Sequence, residues 1–477
     1  MSATPGALAR RLGLRDAVVI GLAAMIGAGA FLSLGAAHDL AGALAPLAVL
    51  IAAGVALCNA TATAQLAAQH PSSGGTYHFG REQLGPWWGF LAGWCFVIGK
   101  IASCAAMALV IAAYLVPEPA QRLVAALVVV VLTGVNLVGI TRTAALARVL
   151  VTIAVTALVL TGGRLLVGLA SGAPTNGGAD GTGGSDGTGG PGAVDGSGAA
   201  GAGEGALAIP GPLAGASAGL WDGGLAAVLG AGTGGIVGIA LAVAQAAALM
   251  FFAFAGYARV ATLGEEVVEP RRTIPRAILL ALAAVAGLYL VLSVVLVLVG
   301  PAPGEDGWGP APFLTALESV GAGGLWRAVI TVGAVAAAGG ALLALIAGIS
   351  RTVLAMARER DLPPVLAHVS PRFSVPQRAE AAAGVAVVLL VLLASDALVA
   401  VAASAFGVLL YYAIANLAAF TQVGQWRLFP KAMQVLGVIG CVLLVAALPG
   451  RTIVAGLVLL AVGFAYRGLV LVARRTA

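Results

Sequence analysis

Two short stretches hold the residues that could do chemistry, and their backbone would do most of it. Met25–Phe31 reads MIGAGAF and Phe251–Tyr257 reads FFAFAGY, each partway along a hydrophobic segment. Opening a helix at Gly27-Ala28-Gly29 would leave N–H groups at the start of a half-helix. The positive end of the dipole there favours an anion such as a carboxylate. Freed carbonyls around Phe252, Ala253 and Phe254, at the C-terminal end of another half-helix, would suit an ammonium. An anion site beside a cation site fits a zwitterion, that is, an amino acid. Phe31, Phe252, Phe254 and Tyr257 could shape a side-chain pocket or a gate. The same glycines have a second reading: small residues let helices pack closely in membranes.

Charged side chains offer little else. Every Asp and Glu falls in a loop or at a segment end, so proton relays built on intramembrane carboxylates are not expected. Lys100 is the clear intramembrane charge. Burying it is costly, so it should have a use, either in ion coupling or in bracing an unwound helix. Its partner must then be a carbonyl, hydroxyl, water or substrate. Arg259 is a candidate for an inner gate with Asp16, Glu82 or Glu359, and Phe31 is a second gate candidate. The histidines His38, His70, His78 and His368 lie in loops or at segment ends, and no metal spacing, catalytic triad or phosphate loop occurs. No catalytic residue, metal or cofactor is expected. Cys58, Cys95, Cys104 and Cys441 read as small hydrophobes between helices.

The elements that must position these residues follow from composition. The 477 residues are 60% hydrophobic and 9% charged, against about 25% charged in a soluble protein. Repeated apolar runs, each long enough to cross about 30 Å of hydrocarbon, make this an all-α polytopic membrane protein. We read about twelve spans: 16–37, 42–68, 86–116, 121–140, 143–169, 236–264, 276–300, 325–357, 379–395, 397–421, 432–449 and 452–472. Lys and Arg gather on the cytoplasmic side of short loops. With the N-terminus inside, only Arg122, Arg164, Arg327 and Arg451 lie toward the outer face, which puts both termini in the cytoplasm. The net charge of +6 is explained by this topology and needs no nucleic-acid partner.

Residues 1–15 form a cytoplasmic N-terminus and 16–169 a first set of five helices. Residues 170–235 form an external loop, largely Gly-rich and expected to be disordered. Residues 236–421 form a second set of five, and 422–477 hold helices 11 and 12 with a short tail. The segment after span two, HPSSGGTYHFGREQLGP, reads as a re-entrant or amphipathic bend, and a helix restart is expected near Pro275. Hydrophobic segments interrupted at matching positions in two halves point to a transporter site.

Four stretches carry a resemblance: MIGAGAF, HPSSGGTYHFGREQLGPWWGFLAGW, FFAFAGYARVATLGEEVVEPRRTIPRAI and GISRTVLAMARERDLPPVLAHVSPRFSVPQRAE. Together they resemble the amino acid–polyamine–organocation permeases, and within them the bacterial relatives of cationic amino acid transporters, from about residue 12 to 425. The resemblance implies a five-plus-five inverted repeat of the leucine-transporter type with helices 1 and 6 discontinuous. It implies substrate contacts at Ile26, Gly27, Ala28 and Gly29, and at Phe252, Ala253, Phe254, Ala255 and Gly256, beside which Tyr257 lies. Some proton-coupled relatives carry a Lys in the fifth span; here Ala154 stands in that neighbourhood, and Lys100 could take the role. The expected function is secondary active transport of amino acids across the plasma membrane by alternating access, coupled to protons or to Na+. The alternatives are a related transporter of another amine, such as a polyamine or ethanolamine, and a non-transporting membrane scaffold.

Overall fold

The structure is a computed structural model that describes residues 12–70, 75–138, 143–171, 235–261, 263, 267–301, 307–373 and 375–476. The Gly-rich segment expected to be disordered lies almost wholly outside the described residues. So do Glu265 and Glu266. All described regular structure is helical, apart from one isolated bridge between Leu12 and Val267.

In chain order the α-helices are α1 (Leu14–Met25), α2 (Ala28–Ala41), α3 (Ala45–Gln69), α4 (Gly75–Leu84), α5 (Pro86–Leu115), α6 (Gln121–Leu137) and α7 (Thr143–Ala170). After residue 235 come α8 (Ile236–Phe254), α9 (Ala258–Ala261), α10 (Pro270–Val299), α11 (Pro312–Ser319) and α12 (Gly324–Arg358). The chain closes with α13 (Gln377–Leu393), α14 (Ala397–Phe420), α15 (Lys431–Ala446) and α16 (Gly450–Thr476). Eight segments among the described residues are long and apolar enough to cross a membrane, with α6 and α15 as shorter apolar helices.

The loop expected to bend at the membrane surface contains α4, which packs along the start of α5 and buries Tyr77 and Phe79 while Glu82 stays exposed. The restart expected near Pro275 occurs earlier, at Pro270. Proline at the first position of a helix forfeits a donor that had no partner anyway, and Glu269 O accepts the N–H groups of Arg272 and Thr273. Pro275 is therefore inside α10.

Packing places the interrupted segments at the centre. α2 runs along α8, α1 packs on α10 and α7, and α5 lies between α12 and α14. The core around them is unusually rich in alanine: Ala28, Ala30, Ala246, Ala247, Ala253 and Ala337 are all buried. Alanine and glycine let backbones approach closely, the main source of helix cohesion where lipid removes the hydrophobic drive.

Candidate functional site

The first segment breaks at Ile26–Gly27. The Ile26 N–H still donates to Leu22 O at 2.8 Å, but the Gly27 N–H turns back to Met25 O at 2.9 Å, and no side chain caps the start of α2. The N–H groups of its first turn therefore face the break without a side-chain acceptor, the arrangement that favours an anion. Sequence reasoning put the opening at Gly27-Ala28-Gly29; Ala28 and Gly29 are already helical.

The second segment does not unwind fully. α8 tightens into a 3-10 turn at Ala255–Tyr257 and continues as α9. The Ala255 N–H closes onto Phe252 O, so that carbonyl is occupied. The acceptor freed at the turn is the buried Ala255 O, which takes a 2.9 Å bond from the Tyr412 hydroxyl and a 3.4 Å bond from Lys100 Nζ. Lys100 thus sits where sequence reasoning expected a substrate ammonium, one position beyond the carbonyls it named. Its partner is a backbone carbonyl, one of the groups anticipated for it.

The glycines are explained by contact. A Cβ on Gly29 would lie 2.4 Å from Ala253 Cα, and one on Gly256 would lie 2.0 Å from Ala24 O. Both are below any tolerable approach, so the two interruptions are pressed against each other through glycine. At these two positions the close-packing reading describes what is seen. Gly27 differs, because its Cβ would meet side-chain atoms at longer range, Ala341 Cβ at 3.1 Å and the flexible end of Met107 at 3.3 Å.

Buried tyrosines complete the backbone bonding. Tyr289 donates to Met25 O at 2.9 Å and Tyr114 to Phe31 O at 2.9 Å. Away from water an unmet carbonyl is costly; at the breaks the donors are Tyr289 for Met25 O and Tyr412 for Ala255 O, while Phe31 O lies inside α2. Reasoning from sequence passed over these tyrosines; a lone hydroxyl in an apolar run was the available signal.

A cleft of about 980 Å³, counting the solvent at its mouth, leads from the face where α1 begins up to Ile26. Its wall comes from α1 (Ile20, Ala23, Ala24), α7 (Leu150, Val151) and the small-residue side of α12 (Ala337, Gly340, Ala341). Arg259 and Arg351 also line it. The α12 contribution was not anticipated, although the run GAVAAAGGALLALIAG from Gly333 to Gly348 advertises a helix built for close approach. Phe31 is fully buried and meets Tyr114 and Phe313 edge-on, at 5.9 and 6.2 Å between ring centroids. Beyond it Asp39 Oδ1 accepts the Trp308 N–H at 3.0 Å.

The cleft thus enters the helical bundle from one face and ends at Ile26, beside the break between α1 and α2. The profile described as "Amino acid permease" matches residues 12–471. The chain belongs to the amino acid permease family. An uncharacterized transporter of Mycobacterium tuberculosis is 44% identical over 97% of this chain and 92% of its own length. The vacuolar cationic amino acid transporter 4 of Arabidopsis thaliana is 26% identical over 80% of this chain and 58% of its own. The methylthioribose transporter of Bacillus subtilis is 36% identical over 28% of each.

Within this permease the expected site residues divide into three groups. Ile26 and Arg259 line the cleft. Gly27, Ala28, Gly29, Phe252, Ala253, Phe254, Ala255, Gly256 and Tyr257 form the packed seam of the two interruptions, where Tyr257 stacks on Tyr412 at 4.9 Å. Phe31 packs against Tyr114 and Phe313 and does not line the cleft. Of the acids considered for Arg259, Asp16 lies 3.9 Å from Arg148 and Glu359 lies 3.1 Å from Arg81.

Proposed function

We propose that this permease is a secondary active transporter that moves amino acids across the plasma membrane by alternating access, with protons as the driving ion. The observation that carries the reading is the one-sided cleft ending at Ile26, beside the uncapped start of α2. A substrate carboxylate is held beside Ile26, at the uncapped start of α2, and the apolar wall of α1, α7 and α12 receives its side chain. Counting α1 with α2 and α8 with α9 as single crossings, and leaving the short α4 and α11 out, gives the twelve spans of this reading. These are two sets of five, 16–169 and 236–421, followed by α15 and α16. The gathering of basic residues near the Leu12 face supports a cytoplasmic mouth for the cleft. Opening the Phe31–Tyr114–Phe313 seal while Ile20, Leu150 and Ala337 close together gives the opposite state.

Amino acid binding is tested by a thermal-shift screen of the standard amino acids on the purified protein, followed by counterflow with the hits in proteoliposomes. At least one amino acid is expected to raise the melting temperature, since a ligand at a hundred times its Kd adds about 2.7 kcal/mol, and to exchange saturably. Neither stabilisation nor exchange by any of them overturns the reading.

Lys100 is the coupling candidate. It is 5% exposed and bonded to the turn that ends α8, so gain or loss of its proton acts directly on the interruption. The Lys100→Met variant is expected to retain counterflow while losing uptake driven by an imposed pH gradient. Proton-driven uptake unchanged in Lys100→Met and Lys100→Ala assigns the lysine to bracing alone.

A further inference from the structure

We infer that Glu380 binds a proton while the cleft is open, and that Arg351 takes the place of that proton when it leaves. The site is separate from Lys100 and does not depend on which substrate the cleft admits.

Glu380 sits in the first turn of α13 and is 3% exposed. Its Oε1 accepts from Ser350 Oγ at 3.4 Å, a long bond, and its Oε2 is buried without a hydrogen-bond partner. A carboxylate in that setting would carry its charge without the donors or the cation that a buried ion requires. Binding a proton removes the charge.

The elements packed against α13 offer little else to neutralise it. They are α5, α6, α12 and the turn Pro364–Ala367, which has no titratable side chain. On α6, Thr133 meets α13 at Gly384 and Asn136 gives its amide to Leu343 O at 3.0 Å; both are neutral. Lys100 on α5 is held at Ala255 O. Arg378, on α13 itself, donates to Val365 O at 3.3 Å. The cation whose charge acts on Glu380 is Arg351, next to Ser350 on α12.

Arg351 joins the carboxyl to the cleft. Its side chain is exposed and lines the cleft, about two helical turns beyond Ala344 on the same wall. Once Glu380 loses its proton, the carboxylate attracts the guanidinium across a poorly solvated gap. That draws Arg351 toward α13 and out of the cleft mouth, so one proton changes access to the wall of α12.

The test uses the full-length protein. The infrared difference spectrum between the unaltered protein and Glu380→Gln is expected to contain the band of a protonated carboxyl, lost on titration with base. No such band at any pH at which the protein stays folded overturns the inference. The amide mimics the protonated acid, so Glu380→Gln in acidic buffer is expected to melt with the unaltered protein. A clearly lower melting temperature there shows a carboxylate that must be charged and likewise overturns it. In Arg351→Gln the proton is expected to be held about tenfold more tightly, and an unchanged titration overturns the role of Arg351. The link to the cleft is read by labelling Ala344→Cys with a water-soluble maleimide, with Glu380 either intact or replaced by Gln. Taking the ratio of the two rates cancels the ionisation of the thiol. The ratio is expected to be near one in acid and to rise at least about fivefold in base; a ratio independent of pH overturns the link. No substrate enters these measurements, so failure of the amino acid reading would show in the thermal-shift and counterflow assays and not here.

Discussion

Replacing Gly256 with alanine is expected to abolish transport and sharply reduce the yield of folded protein. The added methyl group would sit 2.0 Å from Ala24 O and 2.2 Å from its carbonyl carbon, both backbone atoms that no rotamer change can move. Relief requires α1 and the turn after α8 to separate, and that seam also carries the Tyr289 bond to Met25 O and the Lys100 and Tyr412 bonds to Ala255 O. Forcing an extra carbon into a packed core costs about 1–3 kcal/mol even where neighbours adjust; against rigid backbone the upper end or beyond applies. Gly29→Ala meets Ala253 in the same way and should behave alike. Gly54→Ala on α3 is the control, because nothing lies within 4 Å of its Cβ position. Alanine there should be neutral or stabilising by up to about 1 kcal/mol, the usual helix preference over glycine. Melting curves and size-exclusion profiles of the three variants decide it. A folded Gly256→Ala protein with unaltered uptake contradicts the contact geometry.

The second large effect is expected at Asp361, on the loop that follows α12. This carboxylate is 5% exposed, accepts from Arg81 Nη1 at 2.9 Å and the Tyr77 hydroxyl at 3.0 Å, and forms an ion pair with Arg467 Nη1 at 2.8 Å. Burial and the charge of Asp361 push the Tyr77 phenol far above its usual range, so it stays protonated as a donor. Arg467 is itself buried, with its guanidinium over the rings of Trp87 and Phe90 at 4.8 and 4.7 Å. The knot ties α4, α5 and α16 to the end of the helix that lines the cleft. Asp361→Ala removes the anion and leaves Arg467 buried without its ion-pair partner, a loss of about 3–5 kcal/mol. The apparent melting temperature and initial uptake rate should both fall. The double variant Asp361→Ala with Arg467→Met should recover a large part of the stability, because an apolar replacement for a buried pair is often close to neutral. Absence of recovery would show that Asp361 acts through its loop rather than through the buried pair.

How much of this was legible beforehand differs from residue to residue. MIGAGAF and FFAFAGY could be located as interruptions because a run of glycine among large apolar residues is a local signal, read from neighbours in the chain. What the glycines do was not local. Gly29 faces Ala253 and Gly256 faces Ala24, and the lack of a side chain cannot itself reveal which distant backbone needs the space. The partner type of Lys100 followed by elimination from the distribution of acids, whereas the particular carbonyl, Ala255 O, required the crossing of α5 and the end of α8. Tyr289 and Tyr412 were missed for the same reason, since a tyrosine in an apolar run gives no hint of the carbonyl it will meet.

By itself, then, the amino-acid sequence determined the all-helical membrane class, the places where two helices are interrupted, the poverty of acids in the apolar runs and the family likeness. Each of these depends on composition or on residues within a few turns of one another. Tertiary structure alone decided that α12 supplies a wall of the cleft, that Phe31 meets Tyr114 and Phe313 edge-on, and that Asp361 draws in Arg81 and Arg467. Those contacts join residues far apart in the chain. Close packing of helices selects them by shape and by the need to satisfy buried polar groups, and neither demand is visible until the helices are placed side by side.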